Sequence, residues 1–76
     1  VTISPNPAKG YIHITSPVVL SSITLFNSEG RALLSQNLSG TAETIDIRNF
    51  HDGIFVAIIC FNDNTVAIKK IIIFND

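Results

Sequence analysis

Seven short strands packed as two β layers form the fold that this sequence predicts, and three observations predict it. Turn signals recur roughly every ten residues along the chain. The stretches between them are rich in Ile, Val, Thr and Phe, and none carries the 3.6-residue stripe of an amphipathic helix. The chain has 76 residues, 46% hydrophobic and only 14% charged, so it can bury one core and no more. At that size burial and chain entropy nearly cancel, and folding depends on each apolar residue being well placed.

The elements follow in order. Val1–Ser4 reads as a first strand, stopped at Pro5-Asn6-Pro7 because neither proline can donate to a ladder and each restricts the residue before it. Tyr11–Thr15 alternates, with Ile12 and Ile14 toward a core and Tyr11, His13 and Thr15 toward water, on what looks like an edge strand. Ser21–Asn27 alternates through Ile23 and Leu25. It enters a four-residue loop, Asn27-Ser28-Glu29-Gly30, whose glycine suits the left-handed position of a bulged hairpin. Arg31–Leu38 returns and turns at Ser39-Gly40. Glu43–Phe50 places Ile45 and Ile47 on one face, with Asp46 and Arg48 on the other, and Asp52-Gly53 is the next turn signal. Ile54–Phe61 is apolar on both parities, which predicts an interior strand, sandwiched between two packed layers or flanked by covered neighbours. The short loop Asn62–Thr65 makes the strand after it an antiparallel partner. In that last strand, Val66–Phe74, a core-facing Val66 and Ile68 would turn Lys70 inward. A bulge near Lys69-Lys70 is therefore predicted, returning Ile71 and Ile73 to the core. Seven strands in so short a chain predict an all-β, immunoglobulin-like Greek-key sandwich. The antibody set of Cys, Trp and Cys is absent.

Composition excludes several functions. The net charge is −1, with five basic residues scattered among six acidic ones, so there is no electrostatic footprint for nucleic acid or an anionic membrane. The longest apolar run, Ile54–Phe61, is too short to be a membrane-spanning helix. The amino end lacks a basic start followed by an apolar block. It begins in mid-pattern, and residues 1–76 are expected to be a single domain cut from a longer secreted precursor. Cys60 is the only cysteine, expected to be buried and inert. His13, His51 and Cys60 lack ligand spacing, so no metal and no cofactor is expected. The carboxylates lie scattered in turns, with no pair placed for acid and base work, and no catalytic residue is expected. Asn37-Leu38-Ser39 matches a glycosylation acceptor but reads as loop. With no Trp and one Tyr, stacking platforms for sugars are missing.

Several segments then fall into one order: ISPNPAKGYIHI, ITLFNSEGRALLS, IDIRNFHDGIFVAII and AIKKIIIF. That order resembles the type A C-terminal sorting domain of the type IX (Por) secretion system, over essentially the whole chain. The family's pattern falls on Pro5, Asn6 and Pro7 at the start, and on Asn27 and Gly30 in the central hairpin. It continues at Phe50, Gly53 and Phe55 on the step into the inner strand, and ends in the basic-then-apolar strand at Lys69 and Lys70. Phe50 stands where the family commonly has leucine and Phe55 where tyrosine or another aromatic is usual, and the tail runs on through Phe74, Asn75 and Asp76. The resemblance implies a non-catalytic sorting signal at the carboxyl end of a secreted cargo, with an immunoglobulin-type sandwich fold. It implies recognition by an outer-membrane translocon after the cargo reaches the periplasm. Removal by a sortase-like peptidase follows, with the cut near or upstream of Val1, a shuttle protein among the partners and delivery to the cell surface or the medium.

The final strand is where recognition is expected. A terminal strand paired on one side offers open backbone groups on the other, a template for strand addition by a partner. Residues Lys69, Lys70, Ile71, Ile72, Ile73 and Phe74 are the expected translocon contact. The two lysines would also guard against indiscriminate pairing. The rival expectation is a passive immunoglobulin-like or fibronectin-like spacer or adhesion module of a larger extracellular enzyme or adhesin.

Overall fold

The structure, a computed structural model, describes residues 1–75, and among them are seven strands and no helix. In chain order they are β1 (Thr2–Lys9), β2 (Tyr11–Thr15), β3 (Leu20–Phe26), β4 (Ala32–Asn37), β5 (Ala42–Asp46), β6 (Gly53–Phe61) and β7 (Val66–Ile73). The strand order is β4-β3-β6-β7-β1-β2-β5. Two sheets share β1. Its first residues pair with β2, Ile3 opposite Ile14 and Ser4 opposite His13. Beyond the Pro5-Asn6-Pro7 segment, Ala8 pairs in parallel with Ile73 of β7. The prolines cannot donate to a ladder, and the crossing from one sheet to the other occurs where they interrupt it.

The core lies between the sheets. Ile12, Ile14 and Ile45 come from the β1-β2-β5 sheet, and Ile23, Leu25, Phe55, Ala57, Ile59, Ile71 and Ile73 from the other, in one continuous cluster. The shortest dimension of the molecule, 16 Å, leaves room for two sheets about 10 Å apart and no third layer. The all-β two-layer expectation holds, and β6 lies between β3 and β7, but its outer face is not covered by a second layer: Ile54 is exposed and Val56, Ile58 and Cys60 are half-buried.

Three local expectations differ, and Leu20 adds a core residue that none of them named. β2 is flanked by β1 and β5, so His13 is not on an edge. Its Nδ1 lies 2.9 Å from the Thr44 hydroxyl on the neighbouring strand. Leu20 joins Ile23 and Leu25 in the core although its parity is opposite. A register shift between Leu20 and Ser22 against β6 supplies the extra residue. Asn37 closes β4 opposite Ser22 and is not in a loop. Cys60 is half-buried on the outer face of β6, not enclosed.

The predicted bulge in the last strand is absent. β6 and β7 keep one unbroken register from Cys60 opposite Val66 to Gly53 opposite Ile73. Ala67, Lys69, Ile71 and Ile73 share the inner parity, while Val66, Ile68 and Lys70 all point outward together. Lys70 needs no correction because its aliphatic neighbours are not core residues.

Candidate recognition surface

The sequence-motif residues fall in the β3–β4 hairpin, at the entry to β6 and in the Pro5-Asn6-Pro7 segment beside β7. Asn27 closes the β3–β4 hairpin: its Oδ1 accepts from the Glu29 and Arg31 backbone N–H groups at 3.0 and 2.9 Å. Gly30 has φ +84°, a left-handed conformation that suits glycine in this loop. Phe50 and Phe55 pack ring against ring, centroids 5.4 Å apart and tilted 60°, where the β5–β6 connection enters the inner strand. Gly53 opens β6 opposite Ile73. Pro5 and Pro7 are exposed on either side of Asn6.

Asn6 itself behaves as a surrogate strand. Its Oδ1 accepts from the Ile72 N–H at 3.0 Å and its Nδ2 donates to the Lys70 carbonyl at 3.4 Å. One residue pair on, the Phe74 N–H donates to the Ala8 carbonyl at 2.8 Å. Sequence reasoning gave Asn6 only as a motif position and gave no role to Asn75. The Asn75 Oδ1 accepts from the Gly10 N–H at 2.9 Å, and its Nδ2 donates to the Ile47 and Phe50 carbonyls at 2.9 and 2.7 Å. Its own N–H donates to Asp52 Oδ1 at 2.7 Å. These partners lie up to 66 residues away in sequence, so no local pattern marks them.

The direction of every backbone group on β7 follows from its hairpin. The Phe61 N–H donates to the Thr65 carbonyl, so residues 65, 67, 69, 71 and 73 bond toward β6 in the alternating antiparallel pattern. The even residues therefore present N–H and C=O away from β6. The bonds from Asn6 to Lys70 and Ile72, and from Ala8 to Phe74, fall on that parity.

β7 is consequently covered on one half and open on the other. Around Ile72–Phe74 its second flank is occupied by Asn6 and Ala8. From Val66 to the N–H of Lys70, no strand lies beside it among the described residues. The expectation of a fully open rim is corrected to this extent, because β1 crosses over and takes the far end of the edge. The six expected contact residues divide likewise. Ile71 and Ile73 are buried in the core, whereas Lys69, Lys70, Ile72 and Phe74 are exposed.

The outer face of β6–β7 is apolar over most of its length. Ile68 is 68% exposed, Phe74 57%, Val66 56% and Ile54 51%, with Ile72 and the half-buried Ile58 between them. Contiguous exposed apolar surface of this kind marks interaction sites in soluble proteins. Lys70 stands within it, opposite Val56. Among the described residues the one ion pair is Arg48–Asp46, so neither Lys69 nor Lys70 has an acidic partner there. In that pair the Arg48 guanidinium, and then its backbone N–H, hold the Asp46 carboxyl down at about 2. No cavity and no cluster of three metal-ligating side chains occurs among the described residues.

The model of the secretion system C-terminal sorting domain, the Por secretion tail, matches residues 2–74. The chain belongs to that family. It is a C-terminal sorting signal of type IX secretion, a family of address domains and not of catalysts. The family places a cargo on the amino-terminal side of the sorting domain and sends it to the cell surface or beyond. No curated protein and no solved structure matches the chain.

Proposed function

We propose that the sorting domain acts as a folded address whose last strand is read by the outer-membrane translocon during periplasmic transit. A shuttle protein and a sortase-like peptidase then act on the cargo, the peptidase cutting near or upstream of Val1 to release cargo from residues 1–76. In this reading Lys69, Lys70, Ile72 and Phe74 touch the translocon, and Ile71 and Ile73 hold their strand in place from inside. The observation that carries it is the exposed apolar face of β7 with Lys70 within it and without an acidic partner among the described residues, in a chain that matches the sorting-domain model from residue 2 to residue 74. A passive spacer has no use for such a face, which adds aggregation risk without adding core.

The test is export. A reporter fused to the amino end of residues 1–76 is produced in a host with the secretion system, alongside a fusion lacking residues 68–76. Loss of the reporter from the medium and cell surface on truncation is expected. Undiminished export of the truncated fusion would leave the spacer reading in possession.

A further inference from the structure

The uncovered part of the β7 edge has a defined length and a defined end. The N–H and C=O of Val66 and of Ile68, and the N–H of Lys70, point outward without a strand beside them among the described residues. At the Lys70 carbonyl the Asn6 side chain begins to occupy the edge. Asn6 is thus a stop: an added strand meets it after the Lys70 N–H and can run no further. Along the open part, one face offers Val66, Ile68 and Lys70, all exposed, and the other offers the half-buried Ala67 and the exposed Lys69. Two cations without acidic partners among the described residues therefore stand at the closed end, and aliphatic side chains at the open end.

We propose that residues 66–70 accept a short extended segment of a partner protein as an additional strand. The segment carries apolar side chains over Val66 and Ile68 and a carboxylate beside Lys70, with Asn6 setting where it ends. This deepens the reading of the domain as an export address and rests on it. Main-chain bonds supply the affinity in strand addition, and side chains at alternate positions supply the choice of partner. The charge pattern also selects against a second copy of this chain. Antiparallel self-addition centred on Ile68 sets each Lys70 against a Val66 of the copy, and parallel in-register addition sets Lys70 against Lys70. Neither gives the ammonium groups a counter-charge, which a carboxylate-bearing partner does.

The experiment separates the backbone edge from the side-chain face in the same reporter fusion. Ile68→Pro deletes an outward N–H that β6 does not use, and proline is tolerated at such edge positions. Ile68→Thr keeps the N–H and removes the apolar side chain. Ile68→Pro is expected to lower export at least tenfold and Ile68→Thr less than threefold, with thermal melting of each purified fusion checking that the domain is folded. Should Ile68→Pro fail to fold, Val66→Pro, at the first position of the strand, carries the same test. For the charge, Lys70→Arg is expected to export within twofold of wild type and Lys70→Glu at least tenfold less. Wild-type export by a folded Ile68→Pro or Val66→Pro fusion overturns strand addition, while loss of export on removing residues 68–76 leaves the address reading standing. Wild-type export by Lys70→Glu overturns the carboxylate. A wild-type fusion that dimerises in sedimentation, and is made monomeric by Ile68→Pro, identifies the occupant as a second copy and overturns the proposal.

Discussion

Replacing Asn75 by alanine tests whether the end of the chain is held by one side chain. Its amide makes three hydrogen bonds to main-chain groups: the Gly10 N–H in the β1–β2 turn, and the Ile47 and Phe50 carbonyls after β5. Ile47 is fully buried, and Gly10 and Phe50 are half-buried, so water can only partly replace what is lost. At about 0.5–1.5 kcal/mol for each bond, the substitution removes on the order of 3 kcal/mol. For a domain of this size, roughly 4–8 °C of Tm per kcal/mol gives a fall of roughly 10–20 °C, read by circular dichroism during heating or by urea titration. Asn75→Asp refines the test. It keeps the acceptor for Gly10 but points a carboxylate oxygen at two carbonyls, so at neutral pH it should destabilise at least as much as alanine. Part of that loss should return as the carboxyl protonates and regains a donor. Stability of Asn75→Ala within about 0.5 kcal/mol of wild type would refute the reasoning, since three bonds even at the low end of that range sum to about 1.5 kcal/mol.

Two further outcomes follow from the same geometry. Ile71→Ala should cost about 2–5 kcal/mol because the side chain is fully enclosed, whereas Ile72→Ala, one residue on and outward-facing, should cost under about 1 kcal/mol. Parallel urea titrations of the two variants check this, and equal losses would contradict the observed parity of β7. The Asp46 carboxyl is lowered from 3.8 to about 2 by Arg48, and Asp63 is lowered by the Thr65 hydroxyl and then its N–H. A depressed carboxyl contributes stability that is whole above its unfolded value and lost as pH falls through the folded one. Tm should therefore decline from pH 3.8 toward about 2. Asp46→Asn should flatten part of that decline, and added salt should shrink the difference because both side chains are exposed.

What could be read from the sequence was whatever is decided locally. Alternation in Tyr11–Thr15 and Ser21–Asn27 names the buried isoleucines and leucines correctly, because each of those strands has one apolar and one polar face. Ile54–Phe61, apolar on both parities, lies between two strands as expected. Val66–Phe74 defeats the same reasoning. Its apolar residues occupy both parities with lysines between them, so the pattern alone does not say which parity faces in. The hairpin decides it: once Phe61 bonds to Thr65, the register is fixed and the odd residues turn inward. The crossing of β1 onto β7 was illegible for a different reason. It joins Ala8 to Ile73 and Asn6 to Ile72, and no local propensity encodes a contact across that separation. The open length of the edge, and hence the accessible part of the expected contact, depends on that crossing.

The parity of β7 also bears on the proposed contact. A rule of inward apolar and outward polar residues predicted a bulge, since only a bulge would have put Val66, Ile68, Ile71 and Ile73 all inside. The chain instead leaves Val66, Ile68, Ile72 and Phe74 in water, on a strand whose buried partners Ile71 and Ile73 already complete the core. Nothing in the fold's own stability calls for four exposed large side chains there, and exposed edges with apolar faces invite aggregation. Departures of this kind concentrate at functional sites, and contiguous exposed apolar surface is a common mark of interaction sites. The proposed contact uses that exposed β6–β7 face together with the open part of the β7 edge, and the export assays of the Ile68 and Lys70 variants decide whether it does.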